Sequence, residues 1–198
     1  MRRNEKKRKI TVSKRRRISQ CVLPVVTACA GVPGVADAFT YTTANTFDLS
    51  PTNISGYSQS ILESVAGGQQ AGIAVKSPAL HAMIWSSTSN TAVDLNPTNL
   101  SFANSAILST NGVQQVGYGY AGSTDSHALL WSGTSTALDL NPINLSGFSY
   151  SRATALNGNQ QVGFGFGTAT GGTNIYHALL WSGAANTAVD LNPVNLTG

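Results

Sequence analysis

One string of residues occurs three times in this chain, and it constrains the fold more than any other feature. The copies begin at His81, His127 and His177; each reaches Trp-Ser four residues later and continues to Asp-Leu-Asn-Pro. The prolines of this string, with a matching proline before the first copy, lie 46, 45 and 51 residues apart: Pro51, Pro97, Pro142 and Pro193. Periods of this length are typical of stacked repeat units. Residues that recur in every copy are those the fold needs, so function has to be sought where the copies differ.

Four short segments with an alternating pattern make up each copy. Tyr118 and Tyr120 fall on one face of the second segment, whereas Gly117 and Gly119 fall on the other. A period of two predicts half-buried β-strands. A bulky face backed by glycine predicts sheets that stack, the large face of one on the small face of the next. In the third segment Trp131 recurs on an apolar face, and we expect it to be buried.

Charged residues are scarce and unevenly placed. Ten of the twelve basic residues lie in the first 17 positions, which leaves only Lys76 and Arg152 in the rest of the chain, against six acidic residues from Phe39 onward. Nucleic-acid binding needs clustered Lys and Arg that displace counterions from phosphate. The sequence therefore argues against a nucleic-acid partner.

The first 38 residues have the pattern of an export signal. Basic residues are followed by an apolar stretch, and small residues at 36–38 predict cleavage that leaves Phe39 first. Two alternatives remain open: a lipid-modified Cys29, and a weak twin-arginine signal at 15–18. Cys21 and Cys29 are the only cysteines, so the repeat domain, 39–198, has no disulfide. We expect a secreted, extracellular or cell-surface protein that meets a membrane only through the leader or a lipid anchor at Cys29.

The repeated strings carry a resemblance to a known family. His-Ala-Leu-Leu-Trp-Ser-Gly with a following Asp-Leu, preceded by Asn-Gly-x-Gln-Gln-Val-Gly, resembles the bacterial extracellular HAF repeat, named for a His-Ala-Phe triplet. The third position here is Met83, Leu129 or Leu179, so the match is to a variant, from about residue 46 to the end. The resemblance implies a β-propeller-like array and no known catalytic residue or ligand. We expect an all-β array of about three four-stranded units (52–97, 98–142 and 143–193), incomplete or open.

The histidines and aspartates of the repeats are the obvious candidates for chemistry. His81, His127 and His177 occupy one repeat position, and no carboxylate lies beside them in sequence, so packing or hydrogen bonding is favoured over metal binding. The aspartates of the Asp-Leu-Asn-Pro motif indicate turn hydrogen bonds rather than acid catalysis or calcium binding. A nucleophile triad is assembled once, by residues that break the repeat. We expect no metal, no cofactor and no catalytic residue.

The spacing between the second and third segments does break the repeat. From glutamine to histidine it is 12, 13 and 17 residues in the three units (69 to 81, 114 to 127 and 160 to 177). Insertions on one loop face are where repeat proteins place binding. The candidate binding residues are therefore Lys76, Asp125, Asn174 and Tyr176, and the alternative is that these positions are solvated loop tips.

Two classes of function fit this sequence. The first is a secreted, non-catalytic interaction or adhesion module with a glycan or a cell-surface protein as partner. The second is an exported carbohydrate-active hydrolase or lyase on a propeller scaffold. A glycosidase needs a carboxylate pair, and Glu63 with Asp125 is the only pair outside the repeated positions. Because general acids and bases are so few, binding is favoured over catalysis.

The number of units predicts the behaviour of the protein in solution. Three units are too few for a closed ring of sheets. An open array leaves its end sheets with uncovered apolar faces. We therefore expect self-association through these ends, poor solubility of the repeat domain alone, or a longer repeat protein to which this chain belongs.

Overall fold

The computed structural model describes residues 48–86, 90–122 and 125–193, without the side chains of 173 and 174. In this part the chain forms twelve strands and two short 3-10 helices, Thr168–Thr170 and Ala185–Thr187. The strands are β1 Gln59–Ala66, β2 Gln69–Lys76, β3 Ala79–Ser86, β4 Ala92–Asp94, β5 Asn104–Thr110, β6 Gln115–Tyr120, β7 Ser126–Trp131, β8 Ala137–Asp139, β9 Phe148–Asn157, β10 Gln160–Gly167, β11 Gly172–Trp181 and β12 Val189–Asp190.

The strands form three four-stranded antiparallel sheets, each built from consecutive strands in chain order. We call them sheet 1 (β1–β4), sheet 2 (β5–β8) and sheet 3 (β9–β12). The expected all-β class and the four strands of each unit are confirmed. The expected leader, 1–38, and its cleavage site lie outside the described residues. The Asp-Leu string that precedes Pro51 would place a further strand at 46–49; Asp48 and Leu49 form none, and residues 46 and 47 lie outside the described part.

Each sheet has a β-bulge where its first two strands pair. The register skips one residue between Ile107 and Ser109 in sheet 2, and at matching places in sheets 1 and 3. The bulge brings the Ala106 carbonyl oxygen so close to Gly117 that a Cβ there would overlap it. Gly72 and Gly163 meet the same obstacle. Sheet 2 itself therefore requires a glycine at this position, a cause that the stacking interpretation did not include.

The second glycine of β6 and of β10 is covered from within its own sheet. A Cβ on Gly119 would lie 2.7 Å from Leu129 and 2.9 Å from Phe102. The glycine face is thus filled by side chains of β7 and of the segment before β5. The neighbouring sheet packs onto these side chains and not onto the glycines, which corrects the simple picture of a large face on a bare face.

Two apolar clusters hold the three sheets together, and the two faces of β7 contribute to different ones. Leu129 and Trp131 pack toward sheet 1, whereas Ala128 and Leu130 pack toward sheet 3. The cluster between sheets 1 and 2 contains Ala71, Ala82, Ile84, Leu95, Ile107, Leu129, Trp131 and Ala137. The cluster between sheets 2 and 3 contains Val116, Ala128, Leu130, Leu140, Phe148, Ala153, Leu179, Trp181 and Ala188. The expected burial of Trp131 is confirmed, since it has no exposed surface.

Repeated polar residues also tie each sheet to the next. The side chain of Asn99, which follows sheet 1, donates to the Ala137 carbonyl at 2.8 Å and accepts from the Ala137 amide at 3.0 Å. Ser105 at the start of sheet 2 accepts from the Ala82 amide at 3.0 Å and donates to Asn96 at 2.7 Å. The Asn-Pro-x-Asn motif recurs because it satisfies backbone groups across each junction.

Candidate functional site

A histidine and an aspartate pair across the third and fourth strands of every sheet. The distances from histidine Nδ1 to aspartate Oδ2 are 2.8, 2.7 and 2.8 Å for His81–Asp94, His127–Asp139 and His177–Asp190. The other carboxylate oxygen accepts from the backbone amide two residues later in each case, at 2.8 to 2.9 Å. Sequence analysis found no neighbouring carboxylate because it lies 12 or 13 residues along the chain. These aspartates fix the turn after the fourth strand, as the sequence predicted.

Sheet 1 adds a tyrosine hydroxyl to its pair. Tyr57 donates to Asp94 and lies 3.0 Å from His81 Nδ1, whereas phenylalanines contact the other two histidines edge-on. Burial and the hydrogen bond to Asp94 raise the pKa of Tyr57. Burial alone would raise the pKa of Asp94, but hydrogen bonds from Tyr57, the Asn96 amide and His81 outweigh it and hold that pKa below its usual value.

The histidine–aspartate pairs therefore have a structural role in all three sheets. In the part of the chain that the structure describes, no group of three or more His, Cys, Asp or Glu side chains is placed to hold a metal ion. Each pair also recurs in the same geometry, which is expected of a fold element and not of a site assembled once.

A different constellation breaks the repeat at the junction of sheets 2 and 3. The Arg152 guanidinium carbon lies 3.8 Å from the centre of the Tyr118 ring and 5.3 Å from that of Tyr150. Its Nε donates to Ser126 at 3.3 Å. Within 48–86, 90–122 and 125–193 the ion pairs are all histidine–aspartate pairs, so Arg152 is held by aromatic faces and a hydroxyl.

Arg152 joins two groups of aromatic side chains that contact one another, Tyr118 with Tyr120 and Tyr150 with its neighbours, and we call the six rings together the aromatic platform. Its members come from sheets 2 and 3: Tyr118, Tyr120, Tyr150, Phe164, Phe166 and Tyr176. Tyr150 stacks on Phe166 with 4.2 Å between ring centroids. Tyr176 meets Phe164 and Phe166 edge-on at 5.2 and 5.4 Å, and half of its surface is exposed. Sheet 1 has Ile73 and Val75 at the matching positions of β2, so among the described residues the junction of sheets 1 and 2 has no such platform.

A small hollow opens at the edge of the platform. Its volume is about 80 Å³, and it is lined by Tyr120, Gly122, Asp125, Ser126, Tyr150 and Arg152. Sites that enclose a whole small molecule are several times larger. Burial raises the pKa of Tyr120 and of Tyr150, so both hydroxyls remain protonated donors at neutral pH. The hollow thus offers neutral hydroxyls, one cation and one carboxylate to part of a ligand.

The sequence-predicted binding residues fall into two groups. Asp125 lines the hollow, and Tyr176 belongs to the platform that adjoins it. Lys76 lies at the end of β2, with its Nζ 5.6 Å from the centre of the Tyr57 ring, and so belongs to sheet 1. Asn174 and Tyr176 lie in β11 and not in a loop, because the longer spacing of unit three extends the strand. The side chain of Asn174 is outside the described part.

Sequence reasoning missed Arg152 and the tyrosines around it, although a signal was present. The register places Ile61, Ala106 and Arg152 at the same position of the first strand. Aligning the units by register would have exposed an arginine where the other copies have an aliphatic residue.

The carboxylates of the hydrolase alternative line different hollows. Glu63 lies in β1 beside Leu62, Val65 and Gln70, whereas Asp125 faces the hollow at the platform. Two carboxylates act on one glycosidic bond only when both reach it.

Comparison with known proteins gave no family. No protein-family model matches the chain, and no curated protein matches it. The described residues also include no helix that is both long and apolar enough to span a membrane. The resemblance to the HAF repeat therefore stays a prediction from the repeated strings.

Proposed function

We propose that this chain is an exported bacterial repeat protein of the HAF type that acts as a non-catalytic interaction or adhesion module. Its ligand is a neutral saccharide on a cell surface or in the extracellular matrix. The observation that carries the proposal is the aromatic platform with Arg152, where residues that differ between the units come together. The residues that recur in all units instead form the turns, the β-bulges and the contacts between sheets.

The chemistry of the platform matches that of a sugar ring. A pyranose has an apolar C–H face and a rim of hydroxyl groups, so it stacks on an exposed aromatic ring while its hydroxyls need planar donors and acceptors. Tyr176 provides the exposed ring. Arg152 and Tyr120 provide donors, and Asp125 provides an acceptor.

The charges around the hollow favour a neutral ligand. One guanidinium and one carboxylate face it, so an acidic saccharide would gain one favourable contact and meet one repulsive one. The hollow is also too small to enclose a ring, so it would receive one or two hydroxyl groups while the ring remains on the surface. Such shallow contact predicts weak binding to one site and a gain from multivalent display.

We also propose that the three sheets form an open, propeller-like array. Support comes from the three successive meanders, in which the first strand of each later sheet packs on the sheet before it.

Binding is favoured over the hydrolase or lyase alternative because the repeated acids are already engaged and the remaining two are not brought to one hollow. The repeated aspartates hold histidines and turn amides. Glu63 and Asp125, the remaining pair, line different hollows.

A glycan panel tests the proposal. The intact protein should bind neutral glycans, and Tyr176→Ala and Asp125→Asn should each weaken that binding about tenfold, the effect of losing roughly 1.4 kcal/mol of contact. Lys76→Ala is the matched control, because Lys76 is exposed but lies in sheet 1, and it should bind normally.

The same glycans, incubated with the protein and analysed for products, test the alternative. We expect no turnover. Turnover that Glu63→Gln abolishes would replace the binding module with a hydrolase, and a protein that binds no neutral glycan would refute the assigned ligand class.

A further inference from the structure

Sheet 3 has an exposed apolar face, whereas the equivalent faces of sheets 1 and 2 are buried. We call it the trailing face; it consists of Val162, Ala178 and Leu180. Val162 is 42% exposed, whereas Ala71 and Val116 at the same repeat position are 0% exposed. Ala178 is exposed, whereas Ala82 and Ala128 are wholly buried. The difference arises because sheets 1 and 2 are each followed by a sheet that covers this face.

Sheet 1 has an exposed face on its other side, the side that in sheets 2 and 3 packs on the preceding sheet. We call it the leading face; it consists of Ser60, Leu62 and Val65 of β1. Leu62 is 44% exposed, whereas its counterparts Ile107 and Ala153 are 0% exposed. Val65 is 69% exposed, whereas Thr110 at its position is 6% exposed. The counterparts of these residues are buried where a sheet precedes their own, except Leu156, which is partly buried.

The two faces are the two halves of a junction that the protein already forms twice. Ile107 of sheet 2 packs with Ala71, Ala82 and Ile84 of sheet 1. Ala153 of sheet 3 packs in the same way with Val116, Ala128 and Leu130 of sheet 2. A free leading face is therefore complementary, in shape and in apolar surface, to a free trailing face.

Hydrogen bonds at the existing junctions follow the same pattern. The amide of Ala82 donates to Ser105 Oγ, and the amide of Ala128 donates to Ser151 Oγ, both at 3.0 Å. In the leading face the matching serine is Ser60. In the trailing face the matching amide is that of Ala178. The junction is thus complementary in polar groups as well as in apolar surface.

We infer that the leading face of one chain docks on the trailing face of a second copy, with Leu62 against Val162 and Leu180 and with Ser60 accepting from the Ala178 amide. The occupant is a second copy because both halves of the repeated junction are present and free on one chain. Such contacts are head to tail, so they either close into a ring or continue as a filament.

Two copies are the number that closes best. Two chains of three sheets give a ring of six sheets, and known propellers have about four to eight blades. Closure with two copies would use both the leading and the trailing face of the described sheets. This number rests on the propeller-like arrangement proposed above, whereas head-to-tail docking rests only on the repeated junction.

The mass in solution, measured by light scattering on the full chain, tests the inference. The wild-type protein should be a dimer, and Leu62→Asp and Val162→Asp should each reduce the dimer at least tenfold because each puts a charge into both junctions. Val93→Asp is the matched control: Val93 is 49% exposed, and its counterparts Leu138 and Val189 are exposed to the same degree, so no junction covers it. This control should remain a dimer.

Mixing the two variants distinguishes head-to-tail docking from other contacts. Leu62→Asp retains a sound trailing face and Val162→Asp a sound leading face, so a mixture should recover dimers that neither variant forms alone.

Circular dichroism of each variant checks that it is folded. A monomeric wild type, or a dimer that both variants leave intact, would overturn docking; a dimer sensitive to Val162→Asp alone would indicate a symmetric contact of trailing faces. Open chains longer than two copies would refute ring closure. Loss of glycan binding in Tyr176→Ala is read separately, so failure of one proposal does not affect the other.

Discussion

Truncation of Trp131 is the most direct test of how the sheets are joined. The side chain has no exposed surface, and its Nε1 donates to the Leu95 carbonyl at 2.9 Å. A buried tryptophan removes about 150–250 Å² from water, which at about 25 cal/mol per Å² corresponds to roughly 4–6 kcal/mol. Since part of that surface remains covered in an alanine variant, we expect Trp131→Ala to cost about 3–5 kcal/mol.

The free energy of unfolding, measured by urea denaturation and followed by far-ultraviolet circular dichroism, checks this value. For a domain of about 150 residues, the predicted loss of about 3–5 kcal/mol in Trp131→Ala corresponds to a fall of roughly 6–20 °C in the melting temperature. Trp131→Phe is the companion variant. It keeps most of the apolar ring but loses the N–H donor, so it should cost only about 1–2 kcal/mol. An alanine variant within about 0.5 kcal/mol of the wild type would mean that Trp131 lies outside the core and that the junction is wrongly assigned.

Three further predictions concern a glycine, a carboxylate and the leader. Gly117→Ala should destabilise the protein by about 1–3 kcal/mol because its Cβ meets a carbonyl oxygen, whereas Gly122→Ala, with open space around it, should be close to neutral in the same denaturation assay. The pKa of Asp94 is lowered in the folded protein, so its ionised form stabilises the fold. This stabilisation is complete above about pH 4 and is lost as the pH falls through the folded-state pKa. Stability should therefore drop in acid, and less steeply in Tyr57→Phe. Mass spectrometry of the exported protein should find Phe39 at the N-terminus; an intact leader or a lipid-modified cysteine would contradict this cleavage.

The strands could be predicted from the sequence, but their register could not. Alternation of Tyr118 and Tyr120 with glycines indicated a strand, and the repeat indicated how many strands each sheet has. The bulge opposite Gly117 leaves no mark in composition, so the glycine was attributed to packing between sheets. The pairing of His127 with Asp139 was missed for the same reason: two residues twelve positions apart become neighbours only once β7 and β8 are aligned.

Half of the candidate site was found by looking for departures from the repeat in length. That criterion found Asp125 and Tyr176, since the spacing between the second and third segments changes near both. It missed Arg152, because this residue occupies the same register position as Ile61 and Ala106, and only the residue type changes there. Substitution at constant length carries as much functional information as insertion, but it is visible only when the copies are aligned by register.

The period of two explains how one strand serves both the fold and the site. In β6 the positions of Gly117 and Gly119 face β5, β7 and their side chains, where added atoms would overlap. The alternate positions lie on the opposite face of the strand, and their residues differ between sheets: Ile73 in sheet 1, Tyr118 in sheet 2 and Phe164 in sheet 3. Changes there add no atoms on the glycine side, so they leave the bulge intact. A repeat of this kind can therefore vary the residues on this face without altering the bulge, which is why four aromatic members of the platform lie on β6 and β10, the strands of the least replaceable glycines.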